Sequence, residues 1–166
     1  LTDSSAWLIK EVLNASDYEK LMKKLFDPKA GIGMSYLRIP VGSSDCALNF
    51  YTYDDTAPDL SDFSLAYDEQ YIIPLLKDAS EINPSLKLIA SPWSAPGWMK
   101  VGNNLSDPST KGLIGGSLDP NKHEIYAEYL VKFLQGYAAH NLSIDALTIQ
   151  NEQFYSPPEY PGMTMN

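Results

Sequence analysis

Three short apolar segments alternate along the chain with three segments that have the hydrophobic spacing of amphipathic helices. Parallel strands need a crossover connection, usually a helix, so this alternation predicts a parallel α/β fold. The predicted order is a helix at 16–26, a strand at 35–41, a helix at 67–79, a strand at 86–90, a helix at 119–137 and a strand at 146–150.

Local signals set the expected ends of these elements. Ser16 or Asp17 is a suitable N-cap for the first helix, and Pro74 should kink the second. Asp119-Pro120 is typical of a helix start, because proline is tolerated in the first turn. Residues 93–118 are rich in Gly, Pro, Ser and Asn, and such a long loop is usually functional or disordered.

Composition narrows the possible partners. The chain has 12 Lys and Arg against 21 Asp and Glu, a net charge of −9, which argues against binding to nucleic acid or an anionic membrane. Neutral ligands such as sugars fit this balance. Cys46 is the only cysteine, which excludes an intrachain disulfide and a cysteine-based zinc site. No apolar run is long enough to cross a bilayer.

Cofactor motifs are missing from the sequence. The two histidines, His123 and His140, lie far apart, and Gly31-Ile-Gly33 lacks the third glycine of a dinucleotide fingerprint. We therefore expect neither a metal nor an organic cofactor, and carboxylate chemistry remains. Sequons at Asn14, Asn104 and Asn141 favour an extracellular protein.

The third predicted strand ends in Gln150-Asn151-Glu152. Catalytic groups of parallel α/β proteins lie at the carboxyl ends of strands. Glu152 is therefore a candidate proton donor, and Asn151 a candidate partner for a substrate hydroxyl. The alternative is a helix-capping Asn followed by a solvated Glu.

The first two strands carry further candidates. Arg38 lies within an apolar strand, where it could serve a site or form a core ion pair. Asp45 could accept hydrogen bonds from sugar hydroxyls or simply form a turn. Trp93 and Trp98 follow the second strand, and could either stack on a pyranose ring or anchor the loop.

Taken in order, these motifs resemble glycoside hydrolase family 30, which includes glucosylceramidases and fungal endo-β-1,6-glucanases. The motifs that carry the resemblance are Arg38-Ile39-Pro40, Ser44-Asp45, Tyr51-Thr52-Tyr53-Asp54-Asp55, Ser91-Pro92-Trp93, Trp98-Met99-Lys100 and Gln150-Asn151-Glu152. The ending Tyr160-Pro161-x-Met163 is more similar to the fungal branch. One departure is Gln153, which stands where the family usually has proline.

The resemblance implies a retaining β-glycosidase on a (β/α)₈ barrel with an attached β-sandwich. Glu152 matches the general acid/base, and Asn151 the residue that holds the 2-hydroxyl of the sugar. Asp45 and Trp93 match sugar-contacting positions, and Arg38 the arginine that supports the carboxylate nucleophile. The implied substrates are β-linked glucosides, either β-1,6-glucan or glucosylceramide.

The length of the chain is short for a complete barrel, which typically takes about 250 residues. We therefore expect residues 1–166 to be the N-terminal part of one catalytic domain, about three βα units. The nucleophile is then expected on a later strand, beyond Asn166, and this polypeptide alone should be inactive. The rival hypothesis is a non-catalytic glycan-binding relative or an inactive truncated product.

Overall fold

Three parallel strands form the main sheet of the computed structural model, which describes residues 1–56 and 58–165. The predicted alternation of helices and strands is confirmed. The strands are β1 (Tyr36–Val41), β2 (Lys87–Pro92), β3 (Lys100–Asn103), β4 (Gly115–Leu118) and β5 (Ala146–Leu147). The α-helices are α1 (Asp3–Trp7), α2 (Ala15–Phe26), α3 (Ile72–Ile82) and α4 (His123–Ala139).

The main sheet has the order β1-β2-β5, with every neighbouring pair parallel. The strand β5 is shorter than predicted, but its hydrogen bonding to β2 continues past its end. Thr148 N donates to Ala90 O (3.0 Å), and Asn151 N donates to Pro92 O (2.8 Å). Asn151 is therefore held directly beside the carboxyl end of β2.

The two faces of this sheet differ in burial. One face packs under the helices, and its buried side chains are Leu37, Ile39, Val41, Leu88 and Ala90. The opposite face carries exposed side chains, which are Tyr36, Arg38, Lys87, Ala146 and Thr148. The opposite face is thus largely uncovered, except near the carboxyl ends of β1 and β2, where Pro40 and Ser91 are buried.

Two predictions about helix geometry are wrong. The N-cap of α2 is Asn14, whose Oδ1 accepts a hydrogen bond from Asp17 N (3.0 Å), rather than Ser16 or Asp17. Pro74 does not kink α3, because that helix begins at Ile72 and places the proline in its first turn. A first-turn residue needs no intrahelical partner for its N–H, so proline is compatible with the helix there.

Some elements had no sequence signal. The helix α1 begins at a capping box between Thr2 and Ser5 and continues into a π-helical turn at Leu8–Val12. The stretch at 93–118, predicted as a loop, contains the antiparallel hairpin of β3 and β4. Gly102, Gly115 and Gly116 adopt positive φ in this hairpin, so the glycines that suggested a loop in fact shape a small sheet.

A polar cluster lies inside the helix-side core. Asp68 is fully buried and accepts hydrogen bonds from the hydroxyls of Tyr51 (2.7 Å), Tyr53 (2.7 Å) and Tyr137 (2.6 Å). The Tyr53 ring stacks on Phe133 with 5.7 Å between centroids. Much of the tyrosine content therefore serves the core. None of the helices in the described ranges is long and apolar enough to cross a membrane.

Candidate functional site

Arg38, in the middle of β1, reaches groups near the carboxyl ends of β2 and β5. Arg38 Nη2 donates to Ser91 Oγ (2.8 Å) and to Asn151 Oδ1 (2.7 Å). Its guanidinium also lies over the Trp93 ring, 4.7 Å from the centroid. Candidates from the three strands thus meet at one edge of the sheet, where catalytic groups of parallel α/β folds are expected.

Arg38 does not form a core ion pair. Its side chain lies on the exposed face of the sheet, and none of its partners among the described residues is a carboxylate. Strand alternation explains this placement, since the neighbours Leu37 and Ile39 point to the buried face. The interpretation of Arg38 as half of a core ion pair is therefore wrong, and its role in a site stays a prediction.

Asn151 connects Arg38 to Glu152. Its Oδ1 accepts from the guanidinium, and its Nδ2 lies 3.4 Å from Glu152 Oε2. An amide whose oxygen is held by an arginine presents its N–H₂ group in a fixed direction. That group can donate to the Glu152 carboxylate or to a hydroxyl placed beside it.

Glu152 is exposed and has a left-handed backbone with φ 50. A left-handed non-glycine residue is uncommon and is often found at functional sites. The turn is closed by Tyr155 N, which donates to Glu152 O (2.8 Å). The interpretation of Asn151 as a helix cap is wrong, because these residues lie in turns and no helix follows them within the described chain.

Gln153, which stands where the family usually has proline, forms hydrogen bonds that hold its segment. A proline at 153 would disfavour the α-like backbone of the residue before it, which here is Glu152. Gln153 instead pairs with Met165, since its carbonyl accepts from Met165 N (3.0 Å) and its Nε2 donates to Met165 O (3.3 Å). The segment after Glu152 is therefore fixed by hydrogen bonds rather than by a proline ring.

Asp45 faces the same region as Arg38 and Trp93. These three side chains line an open groove of about 270 Å³, together with Leu1, Thr2, Ile39 and Pro40. The loop that carries Asp45 is anchored by the buried Asp3 carboxylate, which accepts from Leu48 N (2.9 Å). The groove is large enough for part of a sugar and offers a carboxylate and a cation as hydrogen-bonding groups.

The two tryptophans have different roles. Trp98 anchors its loop, because its Nε1 donates to Asp54 O (3.0 Å) and the Lys122 ammonium lies 5.5 Å from its ring centroid. Trp93 is largely buried beneath Arg38, with 8% of its surface exposed. Trp93 therefore forms the floor of the groove rather than a free aromatic wall.

Four further residues belong to this region. Ser91, Gln150 and Tyr160 were named from the sequence only as parts of motifs, without a role, and Thr148 was not named. Ser91 Oγ lies 2.6 Å from Thr148 Oγ1, so two hydroxyls continue the row that begins at Arg38. Gln150 Nε2 donates to Trp93 O (2.6 Å). Burial first, and then the negative charge of Glu152, raise the pKa of the Tyr160 phenol. Alternation along the strands could have indicated Ser91 and Thr148, whereas Tyr160 arrives by a loop that gives no such pattern.

This arrangement can bind hydroxyl groups and move a proton. Asp45, Asn151 and Glu152 offer acceptors and a donor, and Arg38 supplies a fixed positive charge. Among the described residues, no three His, Cys, Asp or Glu side chains are grouped as metal ligands. Glu152 is an exposed carboxyl group beside an amide that Arg38 holds, and a carboxyl group within hydrogen-bonding reach of a bound ligand can transfer a proton to it.

Comparison with known proteins supports the parallel α/β architecture described above. The sequence model described as "Glycosyl hydrolase family 30 TIM-barrel domain" matches residues 1–157. The chain belongs to glycoside hydrolase family 30. Its three parallel strands are consecutive strands of that family's TIM barrel. The predicted family and fold class are thereby confirmed.

Individual family 30 proteins resemble the chain in sequence and in structure. The chain is 36% identical over 163 residues to endo-1,6-beta-D-glucanase neg1 of Aspergillus fumigatus, covering 91% of this chain and 33% of the relative. It is 35% identical over 138 residues to the lysosomal acid glucosylceramidase of Mus musculus, covering 81% and 26%. The solved endo-beta1,6-glucanase BT3312 superposes with a TM-score of 0.89 at 35% identity, covering 100% of this chain and 36% of that one.

These alignments cover only part of each relative. It spans between about a quarter and about a third of the length of the relatives it matches. The identities to the glucanase and to the glucosylceramidase are nearly equal, so they do not separate the two branches.

Proposed function

We propose that this chain supplies the acid/base half of a retaining β-glycosidase that hydrolyses β-linked glucosyl substrates. Glu152 protonates the leaving oxygen, and later removes a proton from the attacking water. The observation that carries the proposal is the connection from Arg38 through Asn151 to Glu152 at the carboxyl end of the sheet.

The other side chains have supporting roles in this proposal. Asn151 donates its Nδ2 hydrogen to the 2-hydroxyl of the sugar, since Arg38 already holds its oxygen. Asp45 accepts hydrogen bonds from hydroxyls farther round the ring, and Trp93 lies under the sugar as the floor of the groove. Arg38 is also placed to stabilise a second carboxylate across the site.

Retention requires a second carboxylate about 5–5.5 Å from the first, acting as nucleophile. We assign it to a part of the whole protein outside residues 1–166, in the remaining strands of the same catalytic domain. By the whole protein we mean the product of the complete open reading frame. Residues 1–166 alone are then expected to bind weakly and to show no hydrolysis.

Two substrate classes follow from the relatives, one named as endo-1,6-beta-glucanase and the other as glucosylceramidase. Both place a β-linked glucosyl unit next to the acid, and they differ in the leaving group. Release of reducing sugar from a β-1,6-glucan and release of ceramide from glucosylceramide distinguish them. Binding of either without release would favour the non-catalytic alternative.

The test of the acid role is the substitution Glu152→Gln in the whole protein. For a glucoside with a poor leaving group, kcat/KM should fall by about 10²–10⁴, because the departing oxygen is no longer protonated. For a dinitrophenyl glucoside, whose leaving group needs no proton, kcat/KM should change little.

The matched control is Glu159→Gln, a second exposed glutamate in the same loop. It should leave both substrates unaffected. Equal losses on the two substrates with Glu152→Gln, or no loss on either, would show that Glu152 is not the acid.

We also propose that the protein works outside the cell. Support comes from the three sequons, and Asn104 and Asn141 are exposed where a glycan could be attached. Treatment of the secreted protein with an N-glycan hydrolase should lower its apparent mass. Retention of the protein inside the cell with no glycan would contradict this location.

A further inference from the structure

Lys100 is a buried cation that the proposed mechanism does not use. Its side chain, at the start of β3, is 5% exposed. Its Nζ donates to Ser94 Oγ (2.9 Å), Leu113 O (2.8 Å) and Gly162 O (3.0 Å). None of the carboxylates in the described ranges forms an ion pair with it. An ammonium has three N–H donors, so all three are satisfied.

Each of the three acceptors belongs to a different segment. Ser94 follows Trp93 in the loop after β2, Leu113 precedes β4, and Gly162 lies ten residues after Glu152. Gly162 N also donates to Leu113 O (3.0 Å), so this carbonyl joins two of the segments directly. Lys100 thus fastens the chain around 162 to the loop that carries Trp93.

The segment that Lys100 fastens also holds both sides of Glu152. On the N-terminal side, Gln150 Nε2 donates to Trp93 O (2.6 Å) and to Met163 O (3.3 Å). On the C-terminal side, Met165 N donates to Gln153 O (3.0 Å). The Glu152 side chain itself has only the 3.4 Å contact with Asn151 among the described residues. Its direction therefore depends on where the backbone is held.

We propose that Lys100 is a positioning residue for Glu152, acting through Gly162 and the segment 162–165. The inference rests on the proposed acid/base role of Glu152 and extends it to a residue that touches no substrate. If the three hydrogen bonds are lost, segment 162–165 keeps its backbone bonds to Leu113 and Gly116. Gly162 loses its link through Lys100 to Ser94, and the turn that carries Glu152 shifts as a result.

The surroundings of the buried Lys100 amine suit its protonated form. Desolvation lowers the pKa of Lys100 to about 7, whereas the three oxygen acceptors suit the protonated amine. A neutral amine has two N–H donors for three acceptors, and a methionine has none. Removing the charge therefore leaves Ser94 Oγ and Gly162 O without their donor rather than relieving a strain.

The test is Lys100→Met in the whole protein, which keeps the length and packing of the side chain. A displaced acid should reduce kcat for a glucoside with a poor leaving group by about 10- to 100-fold, with KM little changed. Turnover of the dinitrophenyl glucoside, corrected for the folded fraction, should stay within about threefold.

Two further variants keep the test decisive. Ser94→Ala removes one acceptor and should give the same selective loss at smaller size, even if Lys100→Met does not fold. Tyr137→Phe removes a core hydrogen bond far from the loop, and should lower stability without changing the ratio of the two rates.

Equal losses on both substrates in Lys100→Met, or in Ser94→Ala where only that variant folds, would mean that Lys100 has a structural role only, and would overturn the inference. Glu152→Gln distinguishes this failure from failure of the proposed function. If that variant loses the poor substrate selectively and the Lys100 and Ser94 variants do not, the acid role stands and the positioning role falls. If Glu152→Gln shows no selectivity, both fail.

Discussion

Asp68 and Lys100 are buried ionisable side chains with three hydrogen-bond partners each, and they lie in different layers of the molecule. Asp68 lies in the helix-side core and accepts from three tyrosine hydroxyls. Lys100 lies among the loops at the carboxyl ends of the strands and donates to three oxygens. In both cases burial favours the neutral form of the group. It raises the pKa of Asp68 to about 6 and lowers the pKa of Lys100 to about 7.

The two clusters differ in the kind of group that Asp68 and Lys100 bind. The partners of Asp68 are aromatic side chains already packed in the core, such as Tyr53 against Phe133. Two of the partners of Lys100 are backbone carbonyls of separate loops, so Lys100 links segments that lie far apart in the sequence. The same kind of polar cluster should therefore stabilise the whole fold in one place and set the geometry of the site in the other.

The largest expected effect comes from Asp68→Ala. This change leaves three buried hydroxyls without their acceptor and opens a void, so we expect a loss of about 3–5 kcal/mol in the free energy of unfolding. Urea unfolding of the whole protein measures it. The ratio of rates on poor and activated glucosides should not change, and a change in that ratio would break the distinction between the two clusters.

The pH dependence of stability should have opposite signs for the two clusters. The folded pKa of Asp68 is raised above its unfolded value of 3.8, so stability present below about pH 4 is lost as pH rises through about 6. The folded pKa of Lys100 is lowered from 10.5, so stability rises from about pH 7 toward pH 10.

Unfolding free energies from pH 4 to 10 check both slopes. The difference between wild type and Asp68→Asn should fall between pH 4 and 6, by an amount on the order of 3 kcal/mol. The difference between wild type and Lys100→Met should rise above pH 7. Slopes of the same sign would contradict the assignment of the two groups.

A smaller effect is expected from Tyr137→Phe. It removes one of the three donors to Asp68 but keeps the ring packed, so the loss should be about 1 kcal/mol. Tyr126→Phe is the matched control, because that hydroxyl makes only a long 3.4 Å contact with Ile149 O. Equal losses in the two variants would show that the carboxylate cluster adds nothing beyond ordinary tyrosine packing.

The smallest effect is expected at an exposed ion pair. Lys87 Nζ lies 2.8 Å from Asp145 Oδ1 at the amino end of the sheet, and the lysine side chain is 51% exposed. Lys87→Met should leave the unfolding midpoint and the ratio of rates unchanged, since water and salt screen such pairs. A clear loss would indicate that burial is not what separates Lys100 from other lysines.

Much of the fold could be predicted from the sequence, because hydrophobic periodicity reports which face of a strand or helix is buried. The three parallel strands and the helices between them follow from that signal. The hairpin of β3 and β4 could not be predicted, since Gly102, Gly115 and Gly116 look like loop residues. The helix α1 is too short to show a period.

The candidate site was only partly predictable. Motif order brought Arg38, Asp45, Trp93, Asn151 and Glu152 to attention, and the structure places Arg38 in direct contact with Trp93 and Asn151. Lys100 was visible only as part of a motif. Its partner Gly162 lies 62 residues away, and no local pattern reports a hydrogen bond between segments that meet through the tertiary fold.

The most direct test of the central claim is the product formed by Glu152→Ala of the whole protein in the presence of azide with an activated β-glucoside. If Glu152 is the acid/base of a retaining enzyme, azide takes the place of the attacking water on the glycosyl-enzyme. Turnover should then rise, and the product should be the β-glucosyl azide, identified by the coupling constant of its anomeric proton. An α-glucosyl azide would make Glu152 the nucleophile, and no acceleration would remove it from the reaction.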